Sequence, residues 1–174
     1  MRKVKFSAAN SLDNYIARLD GAYDWILWSE ETASFMKDFW KTIDTIVMGR
    51  KTYEVALKHG GGGNHPGVKT YVCSRTLEES QAKNVELTRT EAAAFVQDLK
   101  SQDGKDIFVM GGGELAKSLF EANLIDEVSL AIHPLLLGSG IPLFHEMKHQ
   151  IDLELIECKS RKNGCVLVSY RVKH

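Results

Sequence analysis

Three apolar runs in this chain each stop at residues that turn the backbone into a helix, and this repetition constrains the fold more than any other feature. Thr45-Ile46-Val47-Met48 ends at Gly49, ahead of a short helix from about Lys51 to Leu57. Val68 to Cys73 is a second strand and Val85 to Leu87 a short one after it; a helix to about Leu99 follows, with Thr88 and Glu91 at capping-box spacing. Asp106-Ile107-Phe108-Val109-Met110 ends at Gly111-Gly112-Gly113, and a helix from Glu114 to Ala122 carries Leu115, Leu119 and Phe120 on one face. Continuous apolar strands that alternate with helices belong in a parallel sheet covered on both sides.

The rest of the chain extends that plan. Val4, Phe6 and Ala8 alternate with Lys5, Ser7 and Ala9, which predicts a first strand ending at Asn10-Ser11. A loop with Gly21 and several aromatics, Asp20 to Trp28, leads to Ser29, an N-cap for a helix to about Thr42 with Glu30 and Glu31 in its first turn. Glu127 to Ile132 reads as a strand stopped by Pro134, and the last two strands flank Lys162-Asn163-Gly164, where Asn-Gly is a hairpin signal. Gly60 to Gly63 reads as a simple turn. The expectation is an α/β fold, one domain over residues 1–174: a mostly parallel sheet of about eight strands, a C-terminal antiparallel hairpin, and helices on both faces.

A formal net charge of -1 gives no overall field toward nucleic acid or an anionic membrane. No stretch approaches the ~20 apolar residues of a membrane span. Cys73, Cys158 and Cys165 form neither a metal-ligand spacing nor an even disulfide set, which fits a reducing cytoplasm. His59, His65, His145 and His149 lack HExxH or comparable spacing, so no metal is expected.

Three turns are suited to holding phosphate or ribose, all at the carboxyl ends of predicted strands, where open α/β sheets bind ligands; taken alone, each also reads as an ordinary turn or helix start. Gly49-Arg50-Lys51-Thr52 combines a glycine, a helix start with free N–H groups, and three side-chain donors suited to phosphate. Ser74-Arg75-Thr76 offers donors to a ribose phosphate, with Arg75 able to bind it bidentately. Gly111-Gly112-Gly113-Glu114-Leu115-Ala116 fits GxGxxA between a strand and a helix, although it falls late in the chain for a Rossmann dinucleotide site.

These motifs, with Ser11-Leu12-Asp13-Asn14-Tyr15-Ile16-Ala17, Leu124-Ile125-Asp126-Glu127-Val128 and Pro134-Leu135-Leu136-Leu137-Gly138-Ser139-Gly140-Ile141-Pro142-Leu143-Phe144, resemble the dihydrofolate reductase-like fold family over nearly the whole chain. The last motif is similar to the branch that contains the reductase domain of bacterial riboflavin biosynthesis. The resemblance implies NADPH as cofactor, with Ala8, Ala9 and Ile16 bordering the nicotinamide and Gly49, Arg50, Lys51 and Thr52 at its phosphates. It places Ser74 and Arg75 at the adenosine ribose and its phosphate, and Gly111, Gly112, Gly113, Glu114 and Leu115 around the pyrophosphate. It further implies a cis Gly111–Gly112 peptide and a homodimer, whose partner would cover the edge formed by the last strand, Cys165 to Val172; the alternative is a monomer with Leu135 to Gln150 folded over that edge.

The family's acidic proton donor maps to Glu30 when counted from Trp25-Ile26-Leu27 and to Glu31 when counted back from Phe35, and the alternative is that both are only charges at the helix amino end. Ala131 stands where folate reductases place a threonine beside that carboxylate, which turns the reading away from dihydrofolate. Trp25, Trp28 and Phe35 are candidates to contact a flat heterocycle, Trp40 is equally suited to a core, and His133 is either a base or a structural histidine. The function implied is NADPH-dependent reduction of a small heterocycle, most like 5-amino-6-(5-phosphoribosylamino)uracil. Dihydrofolate reduction and a non-catalytic NADP-binding module are the rivals.

Overall fold

The structure is a computed structural model that describes residues 1–59 and 65–174; the turn expected over Gly60 to Gly63 lies outside them. In chain order the elements are β1 Val4–Ser11, β2 Tyr15–Ala17, α1 Glu30–Thr42, β3 Ile43–Gly49, α2 Arg50–Lys58, β4 Lys69–Cys73 and β5 Val85–Thr88. They continue with α3 Ala92–Ser101, β6 Asp106–Met110, α4 Gly113–Glu121, β7 Glu127–His133, β8 Ile141–Pro142, β9 Leu153–Ser160 and β10 Val166–Val172.

Eight strands form one sheet in the order β5-β4-β3-β6-β1-β7-β10-β9. The strands from β5 to β7 run parallel, and β10 joins β7 antiparallel and carries β9 beside it. This is the expected mostly parallel sheet with a terminal hairpin. Alternate side chains feed opposite faces. Val4, Phe6, Val47, Val109 and Val128 meet Val96 and Leu99 of α3 and Leu115 and Leu119 of α4 on one side. Ile46, Met48, Val72 and Phe108 meet Phe39 and Trp40 of α1 and Tyr53 of α2 on the other. Each fully buried aliphatic side chain contributes about 1.5 to 3 kcal/mol, so both layers are anchored to the sheet.

Ser29 caps α1 as expected, its hydroxyl accepting from the Thr32 amide. The expected capping box at α3 does not form. Thr88 is still in β5, paired with Cys73, and cannot also serve as an N-cap. Glu91 takes that place, its carboxylate accepting from Ala93 and Ala94 at 3.1 and 2.9 Å. Those backbone bonds, that of Ala94 first, hold its carboxyl below the usual range.

The sheet edge also differs from expectation. The final strand is internal, because β10 buries Leu167, Val168 and Val172 between β7 and β9. The outermost strand is β9, whose Leu153, Leu155 and Ile156 are exposed. The segment from Leu135 to Gln150 does not cover this edge. Its Leu143, Phe144 and Met147 pack into the core with Phe6 and Phe120, beside α4.

Two of the sequence motifs are joined directly. Asp13 accepts from the Leu137 and Gly138 amides at 3.0 and 2.7 Å, while Ser11 donates to it at 2.6 Å. The Ser11 bond first, and those amides after it, keep the Asp13 carboxyl below its ordinary value. The short pair β2–β8 follows from this clamp, with Tyr15 opposite Pro142 and Ala17 opposite Ile141. A side chain at Gly140 would run into the Ala17 carbonyl, so only glycine fits there.

Candidate active site

The parallel register aligns the three turns. Gly49 pairs with Cys73, and Met48 with Met110, so the ends of β3, β4 and β6 lie at one edge of the sheet. Side-chain contacts tie the turns together. Arg50 donates from Nη1 to the Thr76 hydroxyl at 2.8 Å, which brings its guanidinium to the Ser74 turn. Thr52 lies against Gly111, where an added Cβ would sit 3.3 Å from its hydroxyl, and it also borders Gly112.

Each turn is shaped by its own residues. At Gly49 an added Cβ would meet nothing, so the amino end of α2 opens onto free space with exposed Arg50 and Lys51 beside it. Helix amino ends favour anions through unpaired N–H groups and the helix dipole. Ser74 is buried, and its hydroxyl accepts from Thr76 and Leu77 at 3.2 and 3.0 Å, leaving Arg75 exposed at the tip. Burial pushes the neighbouring Cys73 thiol up to about 11, so it is no nucleophile near neutral pH.

The cis peptide expected at Gly111–Gly112 is absent: the bond is trans. The turn is made instead by two successive left-handed glycines, with φ of 59° and 79°, a conformation that carries no steric cost without a Cβ. Gly113 then opens α4 against the ring of His145, a neighbour that sequence did not single out. Glu114 is exposed and lies 3.5 Å from His145 Nδ1, and Leu115 turns into the core.

Beside the turns, Ala8 and Ile16 are half-buried against the core and Ala9 pairs with Ala131. Trp25 is buried with its ring edge-on to His133 at 5.3 Å. Trp28 is exposed and borders an open groove of about 480 Å³ with Tyr23, Val55, Lys58 and His59. Of the candidate site residues named from sequence only Trp28 lines that groove, and Lys58 and His59 lie at the opposite end of α2 from Arg50. Trp40 stacks on His65 at 4.0 Å and packs on Phe108, so it is a core residue. Of the two carboxylates, Glu30 is exposed and Glu31 half-buried. Phe35 stacks along α1 on Phe39, which packs on Phe108 of the sheet. Glu31 stands one turn before Phe35 on that same stripe. Among the described residues no cluster of His, Cys, Asp or Glu could hold a metal, and no helix is long and apolar enough to cross a membrane.

An eight-stranded sheet with this strand order, two helices on each face and glycine turns at one edge is the dihydrofolate reductase-like fold. Within it, the chain belongs to the RibD C-terminal domain family, whose model matches residues 2–167. It is similar to two uncharacterised proteins of Bacillus subtilis: YwjB is 36% identical over 88% of this chain and 89% of that protein, and YyaP is 30% identical over 97% and 94%. Among solved structures, a putative riboflavin biosynthesis protein from Shewanella superposes with a TM-score of 0.86 at 26% identity, over the full length of both chains. A deaminase/5-amino-6-(5-phosphoribosylamino)uracil reductase from Thermotoga maritima shares the fold at 14% identity and a TM-score of 0.75, over 99% of this chain and 57% of that one. The chain is thus a member of the RibD C-terminal domain family and similar over its full length to a putative riboflavin biosynthesis protein.

Proposed function

We propose that this protein is an NADPH-dependent reductase acting on a small heterocycle of the 5-amino-6-(5-phosphoribosylamino)uracil type. The observation that carries the reading is the joining of three turns at one sheet edge by Arg50–Thr76 and Thr52–Gly111. The open space at Gly49, beside a helix amino end and two cations, fits a phosphate. NADPH, when bound, supplies the hydride. The chain's own part is to bind, orient and protonate. Gly49, Arg50, Lys51 and Thr52 take phosphates, Ser74 and Arg75 face the adenosine ribose, and the turn from Gly111 to Leu115 follows the pyrophosphate. Ala8, Ala9 and Ile16 border the nicotinamide, and Trp25, Trp28 and Phe35 wall the heterocycle. Glu31 holds the proton, since it lies on the stripe of α1 that faces the sheet.

Arg75 and Arg50 stand where the phosphate of NADPH, absent from NADH, would be paired, and charge-assisted bonds are the stronger ones. Calorimetric titration should give NADPH an advantage over NADH of about tenfold or more, equivalent to roughly 1.4 kcal/mol. Arg75→Ala should narrow it, and equal affinities in the unmodified protein would refute the assignment.

We further propose a homodimer of these chains in the cytoplasm, in which the exposed edge β9 meets a second copy. Unpaired apolar edge strands invite such pairing. Light scattering should return twice the 19.5 kDa of one chain, and the mass of a single chain would show the proposal wrong.

A further inference from the structure

Trp25 and His133 remain unexplained by cofactor binding. Both side chains are buried, and their rings meet edge-on. Neither Trp25 Nε1 nor His133 Nε2 has a hydrogen-bond partner among the described residues. Buried polar atoms are nearly always paired, so two neighbouring exceptions ask for an explanation. Their placement narrows it. His133 ends β7 opposite Ser11, two residues beyond the Ala9–Ala131 pair, and its register puts it on the face that carries α1 and α2. Trp25 lies five residues before Glu30, the start of α1. The pair therefore sits on the face of the sheet covered by α1, near the start of that helix.

The hydrogen-bond character of each nitrogen can be read. His133 Nδ1 lies 2.9 Å from the Ala131 carbonyl, which can only accept, so Nδ1 is the donor and the tautomer with its single proton there leaves Nε2 bare. Nε2 is then an acceptor. The indole N–H of Trp25 is only a donor. One donor beside one acceptor complements a –CO–NH– edge, in which the carbonyl accepts from Trp25 and the N–H donates to His133.

We infer that Trp25 and His133 read the lactam edge of the heterocyclic substrate. This rests on the reductase reading above and names the feature of the substrate that the site selects. Both nitrogens are shielded from solvent, so the ligand enters by displacing the segment of residues 18–24, which precedes Trp25 and leaves its ring against His133. That segment contains no helix or strand and is braced by the exposed Arg18–Asp24 ion pair. Pyrimidinediones and pteridinediones present such an edge, and N-alkylated analogues do not.

The test compares lumazine with its dimethylated form, which keeps both carbonyls but has no lactam N–H. The intact chain should bind lumazine about tenfold more tightly, as expected for one buried acceptor left unpaired. His133→Leu should bring the two affinities together, His133→Gln should restore part of the difference through its amide oxygen, and Trp25→Phe should weaken both ligands alike. NADPH affinity, measured on the same samples, should not change in the His133 variants and reports that they are folded. Equal affinities in the unmodified protein, a preference that survives His133→Leu, or no binding of lumazine to a chain that binds NADPH would each overturn the inference. Loss of NADPH binding in the unmodified protein would instead strike the reductase reading itself.

Discussion

Glu31→Gln should lower turnover about a hundredfold to ten-thousandfold, the usual contribution of a positioned proton donor, while Glu30→Gln should leave it near the starting value. The two residues are adjacent in sequence, but a helix separates neighbours by about 100° around its axis. Glu31 precedes Phe35 and Phe39 at spacings of four, and Phe39 packs on Phe108 at 5.1 Å, so this stripe turns toward the sheet. Glu30 is exposed. Both acidic residues favour the helix start by a similar small amount, about 0.3 to 1 kcal/mol, so loss of helix stability would affect the two variants alike and cannot mimic the contrast. Steady-state rates of the two variants decide it, and a larger loss at Glu30 would reverse the assignment.

Asp126→Ala should destabilise the fold by about 3 to 5 kcal/mol, because it leaves a buried lysine without its counter-ion. Lys100 reaches from α3 to both carboxylate oxygens of Asp126 at 2.8 and 2.7 Å, and its side chain is only 8% exposed. Asp126 also accepts from the Val4 amide at 2.7 Å, so it ties α3 to the start of β1. For a chain of this size the melting temperature should fall by roughly 6 to 20 °C, at about 2 to 4 °C per kcal/mol. Replacing Lys100 by Met in the same chain should recover part of the loss, since apolar pairs often substitute for buried ion pairs. The Val4 amide would remain unpaired and prevents full recovery. Urea unfolding measures both, and a loss below about 1 kcal/mol would mark the pair as solvent-screened.

Much of this architecture is readable from residue order alone, for a physical reason. The strand Asp106–Met110 coincides with its apolar run because a strand buried on both faces is bounded by the residues that cannot be buried. The three turns are legible because glycine and basic residues follow such runs directly. What escapes is long-range. Nothing local in Tyr15–Ala17 announces a partner at Ile141–Pro142, which depends on the Asp13 clamp. The composition of the last two strands cannot say which lies outside, so the edge falls on β9 rather than on the more apolar β10. Capping-box spacing at Thr88 and Glu91 is outweighed by the strand pairing of Thr88. In the site, Arg50 and Thr76 are separated by 26 positions. Only the sheet register brings them together. The proposal of Glu31 over Glu30 likewise rests on the direction of α1 relative to the sheet, which no local pattern carries.

The central claim is that this chain transfers a hydride from NADPH to a riboflavin-type heterocycle. It is tested most directly by following NADPH oxidation on mixing the protein with 5-amino-6-(5-phosphoribosylamino)uracil, with dihydrofolate as comparator. The account predicts oxidation that depends on the aminouracil and is far slower with dihydrofolate, where Ala131 replaces the supporting threonine. Tight NADPH binding without oxidation by either compound would contradict it and leave a nucleotide-binding module in its place.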